Sequence, residues 1–137
     1  MVKQRIYYCA GYKYQLATDY ETLISIKPGA DIVSDFIILD TVGNLTIRTG
    51  YAWDGPSGPC LDIPSFMRAS LVHDALYQLM REGSLPQSAK EQADKEMRRI
   101  CKQDGMTSVL AEVAYQGVDH FGYSSCEKQE REVLTAP

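Results

Sequence analysis

A loop rich in proline and glycine separates two parts of this sequence that follow different patterns, and this division restricts the fold more than any other feature. Residues 54–64 contain three prolines and two glycines, which excludes a regular helix or strand there. Before the loop, short apolar segments suit strands. Beyond it, apolar residues recur every three or four positions, as in amphipathic helices. The sequence therefore predicts an α+β domain in which an antiparallel sheet is followed by helices.

Four segments ahead of the loop are typical of short strands: residues 12–16, 23–26, 36–39 and 45–51. In the last segment, Leu45 and Ile47 alternate with polar neighbours, which predicts one buried face and one exposed face. Gly43 and Asn44 precede this segment, and both can adopt the positive φ angles of a tight hairpin turn. Short strands joined by such turns predict antiparallel pairing.

Three helices are predicted, over residues 65–81, from about 88 to 104, and over 108–121. Ser65 is expected to be the N-cap of the first helix, and Gly83 lies just beyond its end. The second helix begins near Ser88, where Ser88 and Glu91 fit the capping-box pattern. Gly105 is expected to end it.

The sheet and the helices are predicted to form one domain over residues 1–123. It divides into the sheet (1–52), the loop (53–64) and the helices (65–122). The third helix is expected to bury its apolar residues, which are Val109, Leu110, Val113, Val118 and Phe121. Residues 124–137 are polar and charged, so they are expected to form a loosely held tail.

Composition limits the class of protein. A chain of 137 residues with 45% hydrophobic and 23% charged residues can bury one core and is not expected to be disordered. A net charge of −4 gives no electrostatic reason to expect a nucleic-acid partner. We expect neither a signal peptide nor a transmembrane segment, because no apolar run suits either. The four cysteines are scattered, which argues against a zinc ribbon; two disulfides or reduced thiols both remain open.

Three polar residues in the first predicted helix form a candidate site. His73 and Tyr77 are four positions apart and share one face, while Asp74 points about 100° away from His73. The helix around them is apolar, and ionisable groups in such surroundings are costly unless they are paired. These three side chains are therefore expected to have polar partners.

Asp94, in the second predicted helix, is the expected partner. Its neighbours Ala93 and Met97 belong to the apolar face of that helix, so Asp94 can point towards the first helix. There its carboxylate could accept the Nδ1–H of His73 and the hydroxyl of Tyr77. A histidine oriented by a carboxylate can act as a general base through its other ring nitrogen.

Other interpretations stay open. Asp94 could pair with Arg98 on a solvated helix face, which would leave His73 as a structural core residue. Histidine–aspartate phosphohydrolases also use adjacent His and Asp residues, but they need a further histidine upstream, and His120 lies downstream. Ser57 and Ser70 lack the G-x-S-x-G pattern of a nucleophile elbow.

Three motifs give the sequence a resemblance to a family of phage and prophage proteins classed as a domain of unknown function. The motifs are WDGPSGP at residues 53–59, FMRASLVHDALY at 66–77 and ADKEM at 93–97. The resemblance implies a phage origin and names no reaction.

A second resemblance does imply a reaction. Residues 54–101 are similar to the core of secreted bacterial and fungal phospholipases A2, in which a glycine-rich loop precedes His-Asp-x-x-Tyr on one helix and an Asp on the next. His73, Asp74, Tyr77, Asp94, Met97 and Cys101 match that order. The resemblance implies a phospholipase-A2-like helix pair with His73 as general base, held by Asp94 and Tyr77. It also implies a Ca²⁺ site formed by Asp74, Asp54 and carbonyl groups of the loop from Gly55 to Gly58.

Two functions from different classes follow. The first is a calcium-dependent ester hydrolase acting on phospholipid at a membrane surface. The second is a non-enzymatic phage protein, either a virion accessory part or a binder of a host protein, with a structural His/Asp/Tyr network. Either would be found in the host cytoplasm or in the virion. A lipid enzyme is expected to expose an apolar rim beside the loop, with Leu61, Ile63, Phe66 and Met67 as candidates.

Overall fold

The structure, a computed structural model, describes residues 6, 8–9, 14–53 and 63–121. Seven strands come first in these residues: β1 (Tyr8–Cys9), β2 (Tyr14–Leu16), β3 (Tyr20–Leu23), β4 (Ile32–Val33), β5 (Ile37–Leu39), β6 (Asn44–Ile47) and β7 (Ala52–Trp53). Three helices follow: α1 (Pro64–Arg81), α2 (Lys90–Gln103) and α3 (Ser108–Phe121). The order of strands and helices confirms the α+β prediction. Most of the proline–glycine loop, and the predicted tail at 124–137, lie outside the described residues.

The strands form two antiparallel sheets. One has the strand order β1-β2-β7, and the other has the order β3-β6-β5-β4. Hydrogen bonds between Leu16 and the segment at Gly50 and Tyr51 connect β2 to the chain that leaves the larger sheet. All the strand pairs are antiparallel, as the sequence predicts.

The larger sheet buries one face, and its register explains why. Leu45 and Ile47 of β6 lie opposite Leu39 and Ile37 of β5, and all four side chains are fully buried. This confirms the alternation predicted for β6. The strand predicted at 23–26 is displaced, because β3 ends at Leu23. Ile24 and Ile26 continue the alternation of buried and exposed side chains, but they lie beyond the hydrogen-bonded part of the strand. The spacing of apolar residues in the sequence indicates which side of the chain is buried, and it does not indicate where the hydrogen-bonded strand ends.

The helix bounds agree with the sequence, and Gly83 and Gly105 follow the C-caps of α1 and α2 as predicted, but the predicted N-caps are wrong. The N-cap of α1 is Ile63, and the helix starts at Pro64, which needs no hydrogen-bond acceptor for its nitrogen. The capping box of α2 does not form, because Ser88 lies in a short 3₁₀ turn (Gln87–Ala89) ahead of the helix. Glu91 pairs instead with Lys95 at 2.9 Å.

The predicted inner face of α3 is wrong at Val109, Leu110 and Val113, although Val118 is partly buried against the core as predicted. Val109 is 77% exposed and Val113 is 50% exposed, whereas Ala111 and Ala114 are buried. The helix therefore packs through small side chains, which permit close approach to its neighbour. Arg98 of α2 reaches the side of α3, where it pairs with Glu112 at 2.9 Å.

A buried arginine joins the larger sheet to two helices. Arg68 of α1 donates to the hydroxyl of Tyr20 at 2.7 Å and makes two bonds of 3.0 Å to the carboxylate of Asp104, the C-cap of α2. Burial opposes the charge of Arg68, but the hydrogen bonds to Asp104 and Tyr20 outweigh it and raise the pKa of Arg68 above its usual value. The guanidinium therefore stays charged and fixes α1 against the sheet.

Two further polar contacts link the strand region to the helices. The first of them, to Ser70, defines the orientation of α1. Trp53 of β7 donates its indole N–H to Ser70 of α1 at 3.0 Å. The backbone N–H of Ser25, just after β3, donates to buried Glu96 of α2 at 2.8 Å. Together with Arg68, these contacts set the face of α1 that carries His73 towards α2.

We expect Gly43→Ala to destabilise the fold strongly. Gly43 has a φ of 94°, and a Cβ there would lie 2.3 Å from the carbonyl oxygen of Ile24. The expected loss is roughly 2 kcal/mol or more in the free energy of unfolding, from backbone strain plus the clash. Urea denaturation measures it.

Gly105→Ala is the matched control, because its φ of 102° is similar but a Cβ would meet no atom within 4 Å. It should lose only about 1 kcal/mol, the cost of the strained backbone alone. Equal losses in the two variants would show that the close approach at Ile24 is unimportant.

Candidate active site: a buried histidine–aspartate network

Helices α1 and α2 bring four polar side chains together. His73 and Tyr77 lie one turn apart on α1, and their rings are 4.0 Å apart between centroids. Asp94 and Lys90 lie one turn apart on α2. All four residues are buried, with Asp94 0% and His73 7% exposed. We call these four residues the Asp94 network.

The carboxylate of Asp94 is the centre of the network. Its Oδ1 lies 2.7 Å from Nε2 of His73 and accepts a 2.6 Å hydrogen bond from the hydroxyl of Tyr77. Its Oδ2 accepts a bond of 2.8 Å from Nζ of Lys90. The contact predicted between His73, Tyr77 and Asp94 is therefore confirmed.

Two details of the prediction are corrected. The imidazole meets Asp94 through Nε2, whereas the sequence analysis expected Nδ1. The alternative pairing of Asp94 with Arg98 is wrong, because Arg98 binds Glu112 and lies 4.1 Å from the centre of the Tyr115 ring. The rotation of α2 that buries Asp94 leaves Arg98 on the side of α3.

The hydrogen bonds keep the carboxylate of Asp94 ionised. Burial raises the pKa of Asp94, but hydrogen bonds from His73, Lys90 and Tyr77 outweigh it, so the pKa of Asp94 lies below its usual value. The carboxylate is therefore ionised at neutral pH, and an ionised carboxylate only accepts hydrogen bonds. The proton of a neutral His73 ring is then on Nε2, and Nδ1 carries the lone pair.

The geometry also shows that Nδ1 reaches solvent. Within the described residues no hydrogen bond involves this atom, yet none of their fully buried side-chain nitrogens or oxygens lacks a partner. Nδ1 is therefore not fully buried, in agreement with the small exposed surface of His73. A ring nitrogen that is not fully buried, on an imidazole whose other nitrogen meets a carboxylate, is the arrangement that a general base requires.

Lys90 is the member of the network that the sequence analysis missed. Besides Asp94, its ammonium donates to the backbone carbonyls of Val118 at 3.1 Å and Asp119 at 3.2 Å, in the last turn of α3. The only sequence signal is the spacing of four between Lys90 and Asp94. Lysine before the acid is the less favourable order on a helix, so that signal is weak. The carbonyl partners depend on how α3 docks and leave no trace in the sequence.

The described residues contain one of the predicted calcium ligands. Asp74 is partly buried beside His73. Asp54, Gly55 and Gly58 lie outside the described residues. Among the residues that are described, no group of three or more His, Cys, Asp or Glu side chains could hold a metal ion. One carboxylate suits calcium chemically but falls short of the six to eight oxygens that the ion takes.

Two of the four residues predicted for the apolar rim of a lipid enzyme, Phe66 and Met67, are buried instead of exposed. Phe66 is 5% and Met67 is 3% exposed, because the first turn of α1 packs into the core. Ile63 is partly buried against the same core, and Leu61 lies outside the described residues. In the described part of the chain, no helix is both long enough and apolar enough to cross a bilayer.

Comparisons with protein-family models, with curated proteins and with solved structures found no match. The two resemblances noted in the sequence therefore stay predictions, and the function is argued from the site itself.

We expect Asp94→Asn to lower the free energy of unfolding by about 3–5 kcal/mol at neutral pH, because it leaves the buried Lys90 ammonium without its counter-ion. The pKa of Asp94 is lower in the folded than in the unfolded chain, where it lies near 3.8. The stabilisation is therefore complete above that pH and is lost as the pH falls below it. Denaturation of wild type and variant between pH 7 and about pH 2 measures the difference.

Glu91→Gln is the control, since it removes an exposed carboxylate that also pairs with a lysine one turn away. Its unfolding midpoint should stay close to that of the wild type. Two results would contradict an ionised, buried Asp94. One is a small difference in the free energy of unfolding between wild type and Asp94→Asn at neutral pH. The other is a difference that stays the same as the pH falls.

Proposed function

We propose that this chain is an ester hydrolase in which His73 is the general base and Asp94 and Tyr77 position its ring. The observation that carries the proposal is the buried 2.7 Å contact between Nε2 and Asp94, which occupies one ring nitrogen and leaves Nδ1 as the one that can act on a substrate. The finer proposal is a phage-encoded, calcium-dependent enzyme of the phospholipase A2 type, acting on phospholipid in the host cell or from the virion. The motif resemblance supports that part.

The geometry supports a simple sequence of proton transfers. Nδ1 of His73 takes a proton from a water molecule as its oxygen attacks the ester carbonyl. The imidazolium that forms is stabilised by Asp94 through the Nε2–H bond, while Tyr77 holds the same carboxylate oxygen. When the tetrahedral intermediate collapses, the ester C–O bond breaks and the leaving alcohol oxygen takes the proton from Nδ1. One ester and one water yield one carboxylic acid and one alcohol.

Calcium would supply charge neutralisation for the carbonyl oxygen when it is bound. Asp74 is the described residue that would hold it, one position after the base. Because Phe66 and Met67 belong to the core, the choice of lipid over another ester rests on the spacing of His73, Asp74, Tyr77 and Asp94.

A non-enzymatic role is the second candidate, and a different observation favours it. Both oxygens of Asp94 and the ammonium of Lys90 have their partners inside the protein, and these partners come from all three helices. Such a set of bonds would also serve as a structural joint in a virion protein or in a binder of a host factor.

His73→Ala is expected to lower the rate of ester hydrolysis by roughly 10²–10⁴-fold, because a positioned general base contributes that much. Asp94→Asn should lower the rate less, since it misorients the base without removing it. Fatty-acid release from mixed phospholipid vesicles, with calcium and with chelator, measures both.

His120→Ala is the matched control, as His120 is the other of the two histidines in the sequence. It should leave the rate unchanged. If folded wild type and His73→Ala release fatty acid equally, at background level, the hydrolase proposal fails and the structural role is the better account.

Asp74→Asn is expected to abolish calcium binding, which titration calorimetry on the metal-free protein detects. The matched control is Asp35→Asn, which changes an exposed aspartate in the sheet region and should leave binding intact. No calcium binding at millimolar concentration, together with tight zinc binding that His73→Ala abolishes, would reverse the choice of metal.

A further inference from the structure

Lys90 is bound more completely than a simple counter-ion needs to be. Its ammonium has three acceptors within 3.2 Å: Oδ2 of Asp94 and the carbonyls of Val118 and Asp119. An ammonium group has three N–H donors, and these three acceptors all lie within hydrogen-bond distance of it. The residue is 4% exposed, which means that water contributes little to holding the group.

This arrangement restrains the carboxylate of Asp94. A carboxylate held at one oxygen can turn about its Cβ–Cγ bond, and its second oxygen can then compete for the same donors. Here Oδ2 is fixed by Lys90, so Oδ1 alone faces His73 and Tyr77. Lys90 and Asp94 lie on the same helix, while the two carbonyls that hold the ammonium come from α3. The orientation of Asp94 is therefore set from outside its own helix.

The carbonyls that bind Lys90 lie in the last turn of α3. The last carbonyls of an α-helix lack partners within the helix, and that end of a helix favours a cation. At the end of α3, Lys90 supplies both hydrogen-bond donors and a positive charge. It thus joins the docking of α3 to the geometry of the site, through a chain of contacts that runs from Val118 to His73.

We infer that Lys90 is a positioning residue of the candidate active site. By fixing Oδ2 of Asp94 against the end of α3, it selects the tautomer of His73 in which Nε2 carries the proton and Nδ1 the lone pair. The kinetic consequence rests on the proposed hydrolase function, but the selection of the tautomer does not.

Lys90→Met tests this inference, because methionine keeps much of the apolar stem and removes the donors. The ring nitrogens of His73 are observed by ¹H–¹⁵N NMR, in which a protonated and a bare nitrogen resonate far apart, and a His120→Gln variant identifies the second histidine. Wild type should show one tautomer, with the proton on Nε2, and Lys90→Met should show a mixture. Lys90→Arg keeps the charge and should retain more of the single tautomer than Lys90→Met.

Lys95→Met is the matched control, since Lys95 pairs with an acid one turn away on the exposed side of α2. It should leave the tautomer unchanged. In the hydrolysis assay, Lys90→Met should lower kcat by about 10- to 100-fold with KM within about twofold of wild type. A merely structural role would lower stability and leave the tautomer intact, and that result would overturn the inference.

If Lys90→Met does not fold, measurements on the wild type test the inference instead. The ammonium protons of Lys90 should exchange with water far more slowly than those of Lys95, and they should show a hydrogen-bond coupling to the Asp94 carboxylate. Exchange as fast as that of Lys95 would overturn the inference. A wild type without hydrolase activity, whose tautomer still depends on Lys90, would refute the proposed function and support the positioning role.

Discussion

Removing the carboxylate of Asp94 from water costs several kcal/mol in lost hydration, and the helical half of this protein is arranged around meeting that cost. Three donors converge on the two oxygens, and they come from both α1 and α2. Each donor must sit within a few tenths of an ångström of its place. The contact between α1 and α2 therefore has one permitted register, and apolar packing alone would tolerate others.

The same principle recurs where the sheet meets the helices. Arg68 and Glu96 are buried charges in the helices, and each is bound by a group from the strand region: Tyr20 binds Arg68, and the backbone N–H of Ser25 binds Glu96. None of the fully buried side-chain nitrogens and oxygens of the described residues lacks a partner. Apolar residues make up the core, and these few buried polar contacts determine which faces of the helices point inwards. The position of His73 relative to Asp94 is a consequence of that arrangement.

Much of the fold could be predicted from the sequence because periodicity reports burial directly. The bounds of α1 and α3, the end of α2 near Gly105 and the inward face of β6 all follow from it. The N-cap predictions failed because a sequence pattern such as Ser-x-x-Glu does not reveal whether the chain is already turning before the helix begins. The first turns of the inner face of α3 were wrong because valine and leucine were assumed to be buried in preference to alanine.

Some features of the candidate site could likewise be predicted from the sequence, and others could not. His73, Tyr77 and Asp94 could be found because polar residues on an apolar helix face require partners. The choice of Nε2 over Nδ1 depends on the rotation of a single side chain, and the part played by Lys90 depends on the docking of a distant helix end. Neither leaves a pattern in the sequence.

The alanine face of α3 has a consequence for how the protein opens. A helix that buries Ala111 and Ala114 while exposing Val109 and Val113 gains less from the hydrophobic effect in these turns than one that buries its valines. Polar contacts add to its packing, at Glu112 in its middle and at the Lys90 ammonium near its end. Such an element belongs to the least stable cooperative unit of a domain, the one that detaches in sub-global fluctuations while the remaining core persists. The lifetime of the ordered site is then set by how often this helix undocks, and slow amide exchange in α1 would coexist with rapid exchange in α3.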